Sequence, residues 1–407
     1  MPRPYLPLKY FRALLATAVL LSLIVLWLVG SSGTRVALAQ GNPPPSFLNF
    51  EAPQIHPLAL TPDGTRLLAV NTPNATLSVF QLISGTPVLT AEIPVGLEPV
   101  SVAVRSDNRQ AWVVNWLSDS VSIVDLTTGN VVSTMDVGDE PTDVIFAGPG
   151  NNKAFVCVSG GGLQTVGFSQ MTGGSGAIKV FDANNPASPP ATIDNIGKQP
   201  RALARNADGS RVFVSVFESG NQTTIVPESV VSANGGLPAP NPPLRPGLPA
   251  PPNTGLIVRW NGSDWLDEID RKWGPGSNLV DPDKRIQYTL ADVDLVVIDA
   301  GLSSVNARVR GIGTHIGNMA FDPTTQRLFV ANLNDINQVR FEPNLSGKFQ
   351  ASRISTVNTA GTPGLLGTFD LNGFVDFGNP ASSDADRQLS LALPADVVRQ
   401  SDGTVYV

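Results

Sequence analysis

Two stretches of 42 residues align end to end without a gap: residues 55–96, IHPLALTPDGTRLLAVNTPNATLSVFQLISGTPVLTAEIPVG, and residues 97–138, LEPVSVAVRSDNRQAWVVNWLSDSVSIVDLTTGNVVSTMDVG. Pro57 falls on Pro99, Gly96 falls on Gly138, and Asp63 lies within two residues of the position matching Asp107. Each unit holds four short runs rich in Val, Leu and Ile. In the first unit they are PLAL, RLLAVN, TLSVFQL and VLTAEIPV, separated by Pro-Asp-Gly, Thr-Pro-Asn and Ser-Gly-Thr-Pro. Gly, Asn and Asp tolerate the positive φ of tight turns, and the aliphatic residues suit pleated strands between them. A period of this length made of four strands is one propeller blade. A blade has two apolar faces and buries them only against neighbours, so the unit predicts a ring of copies.

The copies are present, some of them expanded. A third opens at DEPTDVIFAGPGNNKAFVCVS and closes at ATIDNIG, stretched by a Gly-rich insertion over 160–176. The fourth opens with KQPRALARNADGSRVFVSVF, and its second half, VDLVVIDAGLSSVNARVRGIG, follows only after a Pro/Trp-rich insertion over 218–292. A fifth begins at THIGNMAFDPTTQRLFVANL, and a sixth, LPADVVRQSDGTVYV, reaches Val407 in its second strand. The predicted fold class is all-β: a propeller of four-stranded blades, five in full and the start of a sixth. A blade halted there would leave strand edges unpaired, so the expectation is a polypeptide continuing past Val407, with seven blades in all. A charged fraction of only 15%, with 38 Gly and 35 Pro, excludes long amphipathic helices and coiled coils.

The pattern in EPVSVAVRSDNRQAWVVNWLSDSVSIVDLTTGNVVSTMDVG resembles the YVTN-type β-propeller repeat of bacterial extracytoplasmic and surface proteins. The Tyr-Val-Thr-Asn element stands here as Leu68–Asn71, Val113–Asn115 and Phe329–Asn332, and departs to FVCVS and FVSVF in the two expanded blades. The resemblance covers residues 55–407 and implies fold, since its motif residues are packing and turn positions. Asn71, Asn115 and Asn332 are expected to tie turns to backbone.

The first 39 residues carry Arg3, Lys9, Arg12 and Arg35 and no acid, an uncharged run from Ala13 to Val29, and small residues at Ala37 and Ala39. This is the three-part pattern of an export signal, with a retained N-terminal anchor as the other reading. Residues 40–54 read as a tether. Both readings place the remainder outside the cytoplasm: periplasmic, cell-surface or extracellular. With 27 basic against 34 acidic residues, a net charge of −7 argues against nucleic acid as a partner. Membrane contact is expected only through an N-terminal anchor. The single cysteine, Cys157, excludes an intramolecular disulfide and a Cys-pair haem or metal motif. Its setting in AFVCVS reads as a small buried hydrophobe.

Candidate sites are sparse. Trp260, Trp265 and Trp273 put half of the six tryptophans into the second insertion, where GLIVRWNGSDWLDEIDRKW reads as a hairpin turning at Asn261–Gly262. They are the candidate contact residues, loops on a rigid scaffold being where binding resides; a local mini-core is the alternative. His56 and His315 each open a repeat, so both are placed at the same end of the channel, where they could meet only across the tunnel. Asp370, Asn372 and Asp376 around Gly373 resemble a calcium loop without its closing bidentate Glu. No catalytic residue and no cofactor is assigned within the chain. The expectation is an exported, non-catalytic propeller that binds a protein or a cell-envelope component, as the N-terminal part of a larger protein. The alternatives are the propeller module of a redox protein with a c-type cytochrome domain beyond Val407, or a lactonase-like propeller hydrolase.

Overall fold

Alternating aliphatic runs between turn residues build five four-stranded antiparallel sheets and a final hairpin. The computed structural model describes residues 54–160, 164–165, 171–172, 176–238, 255–288, 290, 293–337, 348–377 and 384–407. The expected export signal at 1–39, the expected tether up to residue 53, most of the Gly-rich insertion and the proline run from 239 onward lie outside the described residues.

Blade 1 is β1 (Leu58–Leu60), β2 (Arg66–Asn71), β3 (Thr76–Ile83) and β4 (Thr86–Pro94). Blade 2 is β5 (Pro99–Val104), β6 (Gln110–Asn115), β7 (Ser120–Asp125) and β8 (Asn130–Asp136). Blade 3 starts with β9 (Pro141–Ala147) and β10 (Lys153–Val158), passes through a small ladder of β11 (Gln164–Thr165) and β12 (Met171–Thr172), and ends with β13 (Gly176–Asp182) and β14 (Ala191–Gly197). Blade 4 opens with β15 (Pro200–Arg205) and β16 (Arg211–Val216). An inserted sheet of β17 (Thr223–Val226), β18 (Leu256–Trp260) and β19 (Trp265–Leu266) follows, before β20 (Leu295–Asp299) and β21 (Ser304–Val309) complete that blade. Blade 5 is β22 (His315–Asp322), β23 (Arg327–Asp335), β24 (Gln350–Asn358) and β25 (Gly364–Asp370). The final hairpin is β26 (Val398–Arg399) and β27 (Val405–Tyr406).

The first strands of successive blades, β1, β5, β9, β15, β22 and β26, pack in series around the tunnel. The core is a stack of layers between blades, set by the period of two along each strand. In β10, Ala154, Val156 and Val158 pack toward blade 2, while Phe155 and Cys157 pack toward blade 4. Trp112 on β6 is fully buried, edge-on to Phe146 at 5.5 Å and to Phe181 at 6.1 Å, which makes it core. Burying each such large side chain stabilises the fold by about 1.5–3 kcal/mol.

Turn chemistry repeats with the blades. Asp63, Asp107, Asp208, Asp322 and Asp402 each accept, through Oδ1, the backbone N–H two residues on, at 2.8–3.0 Å. Asn115 Nδ2 donates to Ser122 Oγ at 3.0 Å, and Asn332 Nδ2 donates to Ser355 Oγ at 2.8 Å. Those two motif asparagines therefore brace the second strand of a blade against the third, through a side-chain partner.

The insertion of blade 4 has its own core. Val226, Val231, Leu256, Val258, Trp265 and Trp273 cluster in it, with Trp260 packed at the edge. The hairpin turns at Asn261–Gly262, where Asn261 Oδ1 accepts the N–H groups of Ser263 and Asp264, at 2.9 and 2.8 Å, and Trp260 pairs with Trp265. Asp264 and Asp267 are buried but saturated. Asp264 Oδ1 accepts from the N–H of Trp265 and Gly274, while Asp267 Oδ2 accepts from Arg271 Nε at 2.7 Å and Trp273 Nε1 at 3.0 Å.

Candidate functional site

Inside the ring of inner strands lies a cavity of about 500 Å³, lined by His56, Leu58, Val102, Val144, Leu203 and Met319 among others. Its walls are mostly apolar inner-strand residues, with the polar Arg205 and Asn206 among them, and His56 is the imidazole of the lining. His56, two residues before β1, reaches blade 3: its Nδ1 lies 2.7 Å from Asp143 Oδ2. Asp143, on β9, is fully buried. The same Oδ2 accepts the N–H of Leu203 on β15 at 2.7 Å, and Oδ1 accepts the N–H of Val144 at 2.8 Å. Three donors thus satisfy a carboxylate that would be very costly to bury alone.

Burial of His56 works against protonation, but the charge and hydrogen bond of Asp143, aided by the charge of Asp396, outweigh it and raise the imidazole above its ordinary pKa. With Nδ1 committed to Asp143, Nε2 is the ring atom left for a ligand. It donates when His56 is protonated and accepts when it is neutral.

His315 is held elsewhere. Its Nε2 lies 3.3 Å from Asp335 Oδ2, and its ring packs 5.2 Å from that of Phe217. It is not among the residues lining the cavity, so the two histidines do not meet at the tunnel. Each is instead paired with its own aspartate. Sequence reasoning missed Asp143; the available signal was an acid in Pro-Thr-Asp-Val, the stretch that reads Pro-Val-Ser-Val in blade 2 and Pro-Ala-Asp-Val at 394–397.

A second cleft, of about 730 Å³, opens on the insertion and is lined by Arg259, Trp260, Asn261, Leu266, Asp270 and Arg310 among others. Arg259, Asp270 and Arg310 are exposed, and Trp260 is half-buried. Trp265 and Trp273 are 0% and 1% exposed. The expectation that all three tryptophans present a contact surface is therefore corrected for these two: the insertion uses them as its interior, and Trp260 is the one at the cleft.

The calcium reading of Asp370, Asn372 and Asp376 is also corrected. Lys348 Nζ donates to Asp370 Oδ2 at 2.8 Å and supplies there the positive charge a cation would bring. Both halves of the Asn372 amide are taken by Leu391, Nδ2 donating to its carbonyl at 2.8 Å and Oδ1 accepting its N–H at 2.7 Å. Among the described residues no cluster of three His, Cys, Asp or Glu is placed to hold a metal ion. Cys157 is fully buried between blades 3 and 4, and desolvation pushes its thiol pKa far up.

No protein-family model and no curated protein sequence matches the chain. Among solved structures, it is similar to a hydrazine synthase chain of Kuenenia stuttgartiensis, at 16% identity and a TM-score of 0.50, over 79% of this chain and 69% of that one. It is also similar to 6-phosphogluconolactonase-like proteins of Bacteroides uniformis and Bacteroides fragilis, each at 12% identity. Their TM-scores are 0.43 and 0.44, over 85% of this chain and 75% and 74% of theirs. At these identities the likeness concerns the propeller fold.

Proposed function

We propose that the chain is an exported, YVTN-type propeller that binds a protein or a cell-envelope component through the insertion of blade 4. The observation that carries this reading is the Trp260 cleft, built on an inserted sheet with its own buried core. A half-buried indole beside two exposed arginines is the composition that binding hot spots favour. The buried Asp264 and Asp267 of the insertion are paired within it, so the cleft can change without loss of the blades. The test is capture from envelope extract by wild type and by Trp260→Ala and Arg310→Ala variants. Loss of a specifically captured component in both variants, with unchanged circular dichroism and unfolding midpoint, is the expected result; undiminished capture sinks the reading.

A second reading, a lactonase-like hydrolase, is favoured by one observation: the carboxylate-held imidazole of His56 on a cavity that also holds Arg205, an arrangement in which an imidazole could act as a general base. Under that reading His56→Ala abolishes hydrolysis of a lactone substrate while the insertion variants leave it intact.

A further inference from the structure

The backbone just before β1 is the meeting point of several blades. His56 N–H donates to Ser101 Oγ at 3.0 Å, Val102 N–H donates to the His56 carbonyl at 3.0 Å, and Ile55 N–H donates to the Val100 carbonyl at 3.0 Å, all on β5 of blade 2. Asp143 of blade 3 binds the His56 ring at 2.7 Å. Asn318 of blade 5 donates from Nδ2 to the Ile55 carbonyl at 2.5 Å, and its own N–H reaches Ala395, just before the final hairpin, at 3.2 Å.

These contacts share a place in the repeat. Ser101, Asp143 and Asp396 each stand two residues after the proline that opens a blade, in Pro-Val-Ser-Val, Pro-Thr-Asp-Val and Pro-Ala-Asp-Val. Asn318 holds the same place in His-Ile-Gly-Asn-Met, where Ile316 replaces the proline. In blades 1 and 4 the position is Ala59 and Ala202. Ser101, Asp143 and Asn318 bond this one dipeptide from that position, and Asp396 acts on its ring through charge. Ile55 is 3% exposed.

We propose that Ile55–His56 is a proton-sensitive latch: it closes the tunnel at the end where the inner strands begin, and it ties blades 2, 3 and 5 and the final hairpin to the start of blade 1. The charges that act on the imidazole are Asp143 from β9 and Asp396 from the segment before β26, while the uncharged Ser101 of β5 and Asn318 of β22 bond the backbone of the dipeptide and β15 lines the same cavity with Arg205. Both charges are negative, so protonated His56 tightens the latch and neutral His56 loosens it. Because its folded pKa is raised, its contribution is fully present below the unfolded value of about 6.5 and is lost as pH rises through the folded value.

His56 and His315 are the only histidines in the chain, so NMR of the full chain gives two imidazole titrations, and a His315→Gln variant assigns them. The latch predicts that His56 titrates above about 6.5 and that Asp396→Asn moves its titration to lower pH. It also predicts that the thermal midpoint of wild type falls between about pH 6 and about pH 9, a dependence retained in His315→Gln and lost in His56→Gln. A His56 titration at or below the ordinary imidazole value overturns the proposal, as does an unchanged pH dependence in His56→Gln. Should His56→Gln fail to fold, Asp396→Asn carries the test alone, since it leaves the Asp143 hydrogen bond in place; an unmoved His56 titration in that variant is equally adverse.

Discussion

Truncating Asp143 to alanine removes the carboxylate on which three donors from three parts of the chain converge. The N–H of Leu203 and of Val144 would lose their acceptor, and the His56 ring its partner. Leu203 and Val144 are 2% and 4% exposed, so water does not readily replace the lost acceptor. Each buried donor left unpaired costs about 1–3 kcal/mol, and removing one member of a fully buried charge pair costs about 3–5 kcal/mol, an upper bound here because the His56 side chain is 30% exposed. These terms overlap, and about 3–5 kcal/mol is the expected total, a large share of the roughly 5–15 kcal/mol that holds a domain folded. Asp143→Asn keeps one carbonyl acceptor and should lose about half as much. Guanidinium titration of both variants against wild type, at equal slope, reads these values from the midpoints. A loss below about 1 kcal/mol for Asp143→Ala, the level of an ordinary surface substitution, would refute the view that this carboxylate organises the tunnel.

Other expectations follow from the same geometry. Cys157, buried between blades with its thiol pKa pushed up, should resist a thiol reagent in the native protein and react at once in denaturant; rapid native labelling would contradict its placement. Trp273→Ala should cost about 3–5 kcal/mol as a large core deletion, and hydrogen exchange should accelerate in residues 255–288 while the blades keep their protection. Calcium or a chelator should leave the unfolding midpoint unchanged, since Lys348 occupies Asp370 and Leu391 occupies Asn372; a rise with calcium would restore the loop as a metal site.

The blades were legible because their determinants are local. A 42-residue period, Pro-Asp-Gly turns and alternating Val and Leu are set within one copy, and the split of blade 4 could be read because β16 and β20 kept their motif on both sides of the insertion. The sites were not legible because their partners are remote in sequence. Asp143 lies 87 residues from His56, and within Pro-Thr-Asp-Val it reads as one polar residue in an apolar strand. His56 and His315 share a repeat position, yet Asp335 and Phe217 give the second a different neighbourhood. Asp370 and Asn372 look like ligands until Lys348 and Leu391, distant in the chain, fold onto them. The Asn-Gly turn announced the hairpin at Trp260, but the inward turn of Trp273 depends on Asp267, whose carboxylate receives its indole N–H.

The most direct test of the proposed binding role is a photo-crosslinking amino acid placed at Trp260 in the full chain expressed in its native host. A matched control at Val132, which is 55% exposed on β8 of blade 2, reports random encounters. The insertion reading predicts a discrete covalent adduct from position 260 that is missing from position 132. Identical adduct patterns from the two positions, or none from 260, would contradict it.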